Sequence, residues 1–416
     1  MTGDPSFLEH ASRLKASGVV FDPWFDGAPR FRAEPMLIGA SQWQQLKQAA
    51  EHVAACHEGV AQLCLRDPTI LDELGLTPYQ KAMWASSAPL WHGIARADVF
   101  LTPDGMAVCE LNSDTPTGEP EAVVSSALAA ATRPACVDPN AEMQQRFVWL
   151  VEAMRRAIPE KSELRSVGIV YPTELTEDLG MITLYHKWLV DAGYRVTLGS
   201  PFNLQEKGPT EVMLWDAPCD VIVRHYKTDW WGERESVWKD EDEYPDKAPL
   251  EGALGILVRA AIDGRVAVIN PFGSVVTQNK RAMAVMWEHK DRLPEQVQEA
   301  IERYVPRTAR LETLATEELA LQREQWVLKS DYGCEGDQVV IGRDCTDAEW
   351  KQTLDKTAGQ RWVAQRRFDA PGDEAGVVVN YGVYLVAGEA CGLLCRAQAG
   401  ATDPAAVVIP ALVEGA

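Results

Sequence analysis

The chain has 416 residues, 46% of them apolar, so its length fits two or three domains and allows a substantial core. Acidic residues outnumber basic ones 61 to 40, a formal charge of −21 that repels nucleic-acid backbones and anionic lipid and suits a cationic partner. Nine cysteines without a CxxC pair, no basic-then-apolar leader and no apolar run of about 18 residues predict reduced thiols, a cytoplasmic setting, no nucleic acid and no membrane.

Residues 1–90 show helical periodicity in Trp43, Leu46, Ala50 and Val53 and again in Val60, Leu63 and Cys64, and read as a helical lead-in. Trp24, Phe25 and Phe31 read as packing residues rather than a ligand surface. From Arg96 to Asn112 the sequence alternates on both sides of Pro103, Asp104 and Gly105, which predicts a hairpin. A three-residue loop sets Asp98 opposite Glu110 and Arg96 opposite Asn112, with Val108 in step with Glu110 and with Cys109 and Leu111 on the other face. A one-residue slip separates the two carboxylates. Opposed carboxylates repel, so they need a cation between them, and Asp98, Glu110 and Asn112 form an oxygen set that suits Mg²⁺. Arg96 beside them suits an anionic ligand. The alternative is the polar outer face of an exposed hairpin.

Thr115, Pro116, Thr117 and Gly118 form a turn whose hydroxyls and amides suit a carboxylate, or an ordinary loop into the helix that begins near Glu119. An amphipathic helix follows at about 141–158. Residues 165–224 alternate strand, helix, strand, strand, which predicts a small open α/β unit of parallel strands; without GxGxxG there is no dinucleotide site. The acidic stretch 226–251 is either a solvated loop or a rim that concentrates a polyamine.

Residues 266–269 read as a strand and Asn279–His289 as a helix with Lys280 in its first turn, where the dipole opposes a lysine. Trp326–Ser330 is a strand that ends near Lys329. Gly333 and Gly336 in the following loop let amides approach phosphates, and Lys329 adds a point charge. Further strands are expected at 362–366, 376–387 and 391–396, with Arg396 a candidate for a substrate carboxylate or phosphate. Cys391 and Cys395 read as packing thiols.

Arg96, Asp98, Glu110, Asn112 and the Ser-Asp-Thr-Pro-Thr after them, then Gln-Asn-Lys-Arg at 278–281 and Val-Leu-Lys-Ser-Asp-Tyr-Gly-Cys-Glu-Gly at 327–336, have the order and spacing of motifs in glutathionylspermidine synthases. The chain resembles these ATP-grasp ligases over about residues 80–416, without the amidase domain that some members carry. The resemblance implies ATP and Mg²⁺ as cofactors, Lys280 on nucleotide phosphate and Gln365 near adenine. It also implies an α/β (α+β) ATP-grasp fold preceded by a small open α/β subdomain. The expected division is 1–90 lead-in, 91–160 metal-binding hairpin and helix, 161–275 preATP-grasp-like subdomain and 276–416 nucleotide-binding modules.

The expected reaction is amide formation between a small-molecule or peptide carboxylate and an amine, through an acyl phosphate, with Arg96, Lys280 and Lys329 offsetting charge. Thr115, Thr117, Cys334 and Arg396 are the expected substrate residues. In the resembled family an arginine that helps bind glutathione occupies the position of Cys334, so a different acid is expected here. A non-catalytic nucleotide-binding partner protein and a small-molecule kinase are the alternatives.

Overall fold

The computed structural model describes residues 5–159, 165–173, 178–208, 211–233, 250–333, 338–400 and 405–415. Strands β1 (Ile94–Thr102) and β2 (Gly105–Asn112) form the predicted hairpin. Three strands from the end of the chain extend it: β11 (Val377–Val386), β12 (Glu389–Ala399) and β13 (Val407–Ile409). The five-stranded antiparallel sheet runs β13-β12-β11-β1-β2. Ala95, Ala97, Val99, Val108 and Leu111 face one side of it, against helix α1 (Ala40–Arg66). Among the buried residues of α1, Leu46, Ala50, Val53, His57, Val60 and Cys64 recur at three- and four-residue spacing and form one stripe of a helix that is buried more broadly, with Ala49, Cys56 and Leu63 beside it. Helix α2 (Pro78–Ser87) precedes β1, and helix α3 (Glu119–Ala130) packs on the opposite face, where Ala122 clusters with Tyr384, Leu394 and Val408.

A second sheet is wholly parallel, in the order β6 (Ala267–Ile269), β5 (Val221–Arg224), β3 (Ser166–Val170), β4 (Arg195–Gly199). Its central strands read as continuous apolar runs because both faces are covered. Phe147 and Leu150 of α4 (Met143–Arg156) and Met181 and Trp188 of α5 (Leu179–Asp191) pack on Val167, Ile169, Val221 and Val223. Leu254 and Leu257 pack with Val170, Ile222 and Val268 on the other face. The third sheet is antiparallel, β7 (Thr308–Arg310), β10 (Trp362–Arg366), β8 (Trp326–Ser330), β9 (Val339–Ile341), and has a separate small core around Trp350 and Leu354.

The lead-in is helical over most of its length but also supplies Met36–Ile38, which pairs in parallel with Ala411–Glu414 and ties the two ends of the chain together. Trp24 packs edge-on against Phe7, and Phe31 is buried. All the described cysteines are free, and burial pushes Cys391 and Cys395 up to about 12. Among the described residues no helix is long and apolar enough to cross a membrane.

Candidate active site

The hairpin loop holds two residues, Pro103 and Asp104, rather than three, since Thr102 pairs with Gly105. A straight ladder from that turn would set Asp98 against Cys109. A bulge at Cys109 adds one residue and brings Asp98 opposite Glu110 and Arg96 opposite Asn112. Val108, expected beside Glu110, therefore points into the core with Leu111. The bulge also frees the Cys109 carbonyl, which accepts from Lys329 Nζ at 3.2 Å and Gln365 Nε2 at 3.5 Å.

Asp98 is buried and held by cations. Arg96 Nε donates to Oδ1 at 2.7 Å and Nη2 to Oδ2 at 3.2 Å, while Arg396 Nη2 and Asn380 Nδ2 reach Oδ2 at 2.9 and 3.3 Å. Burial pushes this carboxyl up, but Arg96 and then Arg396 outweigh it and hold it at about 2. Both arginines, expected to face an anionic ligand, thus share one carboxylate. Asn380 stands opposite Arg396, and Gly382 opposite Asp98, so Arg396, Asn380, Asp98 and Glu110 cross four strands on one face. Among the described residues, Arg396 Nε, Asn380 Oδ1 and Asn112 Nδ2 are buried there without a hydrogen-bond partner. Each such atom costs about 1–3 kcal/mol unless something pairs with it.

The two lysines arrive from elsewhere. Lys280 immediately precedes helix α6 (Arg281–Glu288); its Nζ lies 3.6 Å from Glu110 Oε2 and donates to the Gly333 carbonyl. Lys329 on β8 is buried and donates to Gln365 Oε1 at 2.8 Å. Gln365, expected near adenine, bridges Lys329 to Thr308 Oγ1 at 3.1 Å. The Gly333 amide donates to Ser330 Oγ at 3.0 Å. Cys334, Gly336 and most of the acidic stretch lie outside the described residues.

Thr115 and Thr117 are half-buried in the turn after the hairpin, and the Thr117 carbonyl accepts from Arg96 Nη1 at 2.7 Å and Tyr384 Oη at 2.8 Å. The residue before this turn was missed by sequence reasoning. Asp114 takes Arg224 at 2.6 Å, Ser274 Oγ at 2.7 Å and the Thr228 amide at 2.7 Å, which fixes the turn over the carboxyl ends of the parallel strands. Asn270, at the end of β6, donates to the carbonyls of Ile94, Ser113 and Asp114, and Gln278 Oε1 accepts from the amides of Ser113 and Asp114. Asn380 was missed as well; its signal was a lone polar residue in a strand otherwise rich in valine and tyrosine.

The sequence profile of the family described as glutathionylspermidine synthase, preATP-grasp, matches residues 8–414. The chain belongs to that family. Its fold is the α/β ATP-grasp arrangement with a preATP-grasp subdomain, and its membership is in a family of ligases. Among solved structures, a glutathione synthetase-like effector from Globodera pallida in its apo form is similar at a TM-score of 0.61 and 11% identity, covering 98% of this chain and 97% of that one. A candidate gamma-glutamylcysteine synthetase from Methylobacillus flagellatus is similar at 0.47 and 13% identity, covering 88% and 85%. No curated protein matches the sequence.

Proposed function

We propose that the protein is an ATP-dependent carboxylate–amine ligase. The observation that carries this reading is the convergence on one sheet face of Asp98, Glu110 and Asn112 with Lys280 and Lys329, which come from two other elements. Oxygen donors bracketed by cations suit a metal-bound polyphosphate. The donors fit Mg²⁺: Glu110 has Lys280 as its only ion-pair partner among the described residues, and Asn112 Oδ1 accepts one long hydrogen bond, from Gln278 Nε2 at 3.4 Å, which a metal could displace. Asp98 joins them by giving up one of its arginine contacts. Mg²⁺ held by Asp98, Glu110 and Asn112 would supply charge neutralisation to the nucleotide phosphates.

In the first step a carboxylate oxygen of the acid attacks the γ phosphorus, ADP leaves and an acyl phosphate forms. Arg96, Lys280 and Lys329 offset the charge on the moving phosphoryl group. In the second step the amine attacks the acyl carbon, inorganic phosphate leaves and the nitrogen loses a proton. Arg96 and the amides after Asp114 would offer donors to the tetrahedral oxyanion. Thr115, Thr117 and Arg396 would receive the acid. A neutral Cys334 cannot copy the bidentate grip of an arginine, which supports an acid other than glutathione. The cellular setting that fits this chemistry is the cytoplasm, where ATP is supplied.

The test is Mg²⁺-dependent ADP release across a panel of acids and amines, with conjugates identified by mass spectrometry. Release that requires both an acid and an amine supports a ligase; release that needs the acid alone points to a kinase. No turnover with any pair overturns the reading. Efficient conjugation of glutathione to spermidine keeps the reaction class and overturns the choice of acid.

A further inference from the structure

Behind the turn that would receive the acid lies a carboxyl group with no part in the chemistry above. Glu119 is the first residue of α3 and is 1% exposed. Its Oε1 accepts from Tyr185 Oη at 3.1 Å, while its Oε2 is buried without a partner among the described residues. The groups that face it are Arg96 from β1, Tyr384 from β11, Cys391 from β12, Tyr185 from α5 and Glu121 from its own helix. Arg96 and Tyr384 both donate to the carbonyl of Thr117, two residues before Glu119. Arg96 is thus tied, through the Thr117 carbonyl, to the turn that leads into Glu119, and its charge acts on the carboxyl without a direct hydrogen bond.

A buried carboxylate with one oxygen unpaired is far costlier than the neutral acid in the same place. Burial raises this group to about 8, against the opposing pull of its own backbone amide and of Arg96. Near neutral pH it is the uncharged acid, and the charge of Arg96 is shared by Asp98 and whatever binds in front of it. Loss of the proton puts a second anion behind Arg96, in competition with the ligand.

We propose that Glu119 is a positioning residue that leaves Arg96 available to the phosphate and acid site only while it is protonated, so that its ionisation withdraws Arg96 from the ligand. The proposal rests on the ligase reading for the identity of that ligand, but the proton itself can be followed without it.

The sign of the stability effect is fixed. Because the folded value lies above the usual 4.5 of glutamate, the stability linked to this proton is full below that value and is lost as pH rises towards about 8. Glu119→Gln is neutral throughout and similar in shape, so its melting temperature relative to the native chain should climb steadily from pH 5 to pH 8.5. The second measurement is calorimetric titration with Mg²⁺ and a non-hydrolysable ATP analogue at pH 7 and pH 9. The native chain should lose about tenfold in affinity between the two, and Glu119→Gln less than about twofold. A third, on the native chain alone, follows the infrared band of a protonated carboxyl, which should disappear between pH 7 and pH 9.

Equal pH dependence of affinity in the two proteins overturns the proposal and leaves the ligase reading standing. If neither protein binds the nucleotide at pH 7, the ligase reading fails, and a constant gap in melting temperature then overturns the proposal by itself. Should Glu119→Gln not fold, the infrared band decides, and its absence at pH 7 is fatal.

Discussion

Asp98 and Asp114 are both buried and both meet arginine, yet their surroundings differ in a way that separates scaffold from site. Around Asp114 the hydrogen bonding closes. Arg224 donates Nε to the Asn270 carbonyl, Nη1 to Tyr226, and Nη2 to Pro271 and Ser274, while Asp114 takes donors from Arg224, Ser274 and Thr228. Around Asp98 it does not: among the described residues Arg396 Nε, Asn380 Oδ1 and Asn112 Nδ2 stay unpaired on the same sheet face. A structural ion pair in low dielectric is tolerable only when fully satisfied. A site that must exchange protein contacts for ligand contacts keeps some groups unmatched.

The strongest way to break this comparison is to remove one partner from each pair. Arg224→Met strands Asp114 and the three carbonyls, and should cost about 3–5 kcal/mol by denaturant unfolding. Arg396→Met leaves Asp98 with Arg96 and Asn380, so it should cost no more than about 1.5 kcal/mol, the low end for a charged hydrogen bond. Equal losses would mean that the Asp98 cluster is scaffold too.

Next in size is the effect on activity. Glu110→Ala removes a proposed metal donor that is a fifth exposed rather than core volume, so the chain should remain folded. Mg²⁺-dependent ATP turnover should fall by more than the roughly 10–100-fold that outer-shell partners of a metal give. Asn112→Ala should act in the same direction. Wild-type turnover in purified Glu110→Ala removes the metal assignment.

How much of this was legible in the sequence follows from the range of each interaction. The hairpin could be read because its alternation and its turn are local, and Asp98 did fall opposite Glu110. The reason was different, though: a two-residue loop plus a bulge at Cys109 gives the same register below the bulge as a three-residue loop, and the difference shows only between bulge and turn, where Val108 meets Val99 and Ala107 meets Phe100. The parallel strands were legible as apolar runs. Asp114, Arg224, Asn270 and Asn380 were not, since each acts through partners scores of residues away or more, and no periodicity marks a polar residue whose partner lies on a distant element. Gln365 was placed near adenine by family resemblance alone; that its amide oxygen accepts from Lys329 had no local signal.

That last contact suggests a sharper test of the two lysines. Lys280→Ala and Lys329→Ala should each weaken binding of a non-hydrolysable ATP analogue by about 1.5–3 kcal/mol, the range of a charged hydrogen bond, measured by calorimetric titration. Gln365→Ala should reproduce part of the Lys329 effect by releasing its side chain. Unchanged affinity in both lysine variants would leave the family fold as the sole ground for a nucleotide.

The smallest expected effect falls on Gly382, and it separates positioning from stability most cleanly. This glycine lies opposite Asp98, and a Cβ there would stand 2.8 Å from Arg96 Cδ and 3.3 Å from its Cγ and Nε. Those atoms are the middle of the side chain, and the guanidinium beyond them is tied to Asp98 by two hydrogen bonds and to the Thr117 carbonyl by a third. Arg96 cannot step aside without losing at least one. Crowding of this kind costs about 1–3 kcal/mol, while exchanging a strand glycine for alanine returns about 0.5–1 kcal/mol of backbone entropy. Gly382→Ala should therefore change the unfolding free energy by no more than about 2 kcal/mol. Displacement of Arg96 from both the carboxylate and the turn should lower kcat about tenfold, with little change in KM for ATP, because the arginine is needed most as charge moves. A Gly382→Ala protein with native kcat would show that Arg96 serves the sheet rather than the reaction, and the contrast between Asp98 and Asp114 would then rest on the unpaired atoms alone.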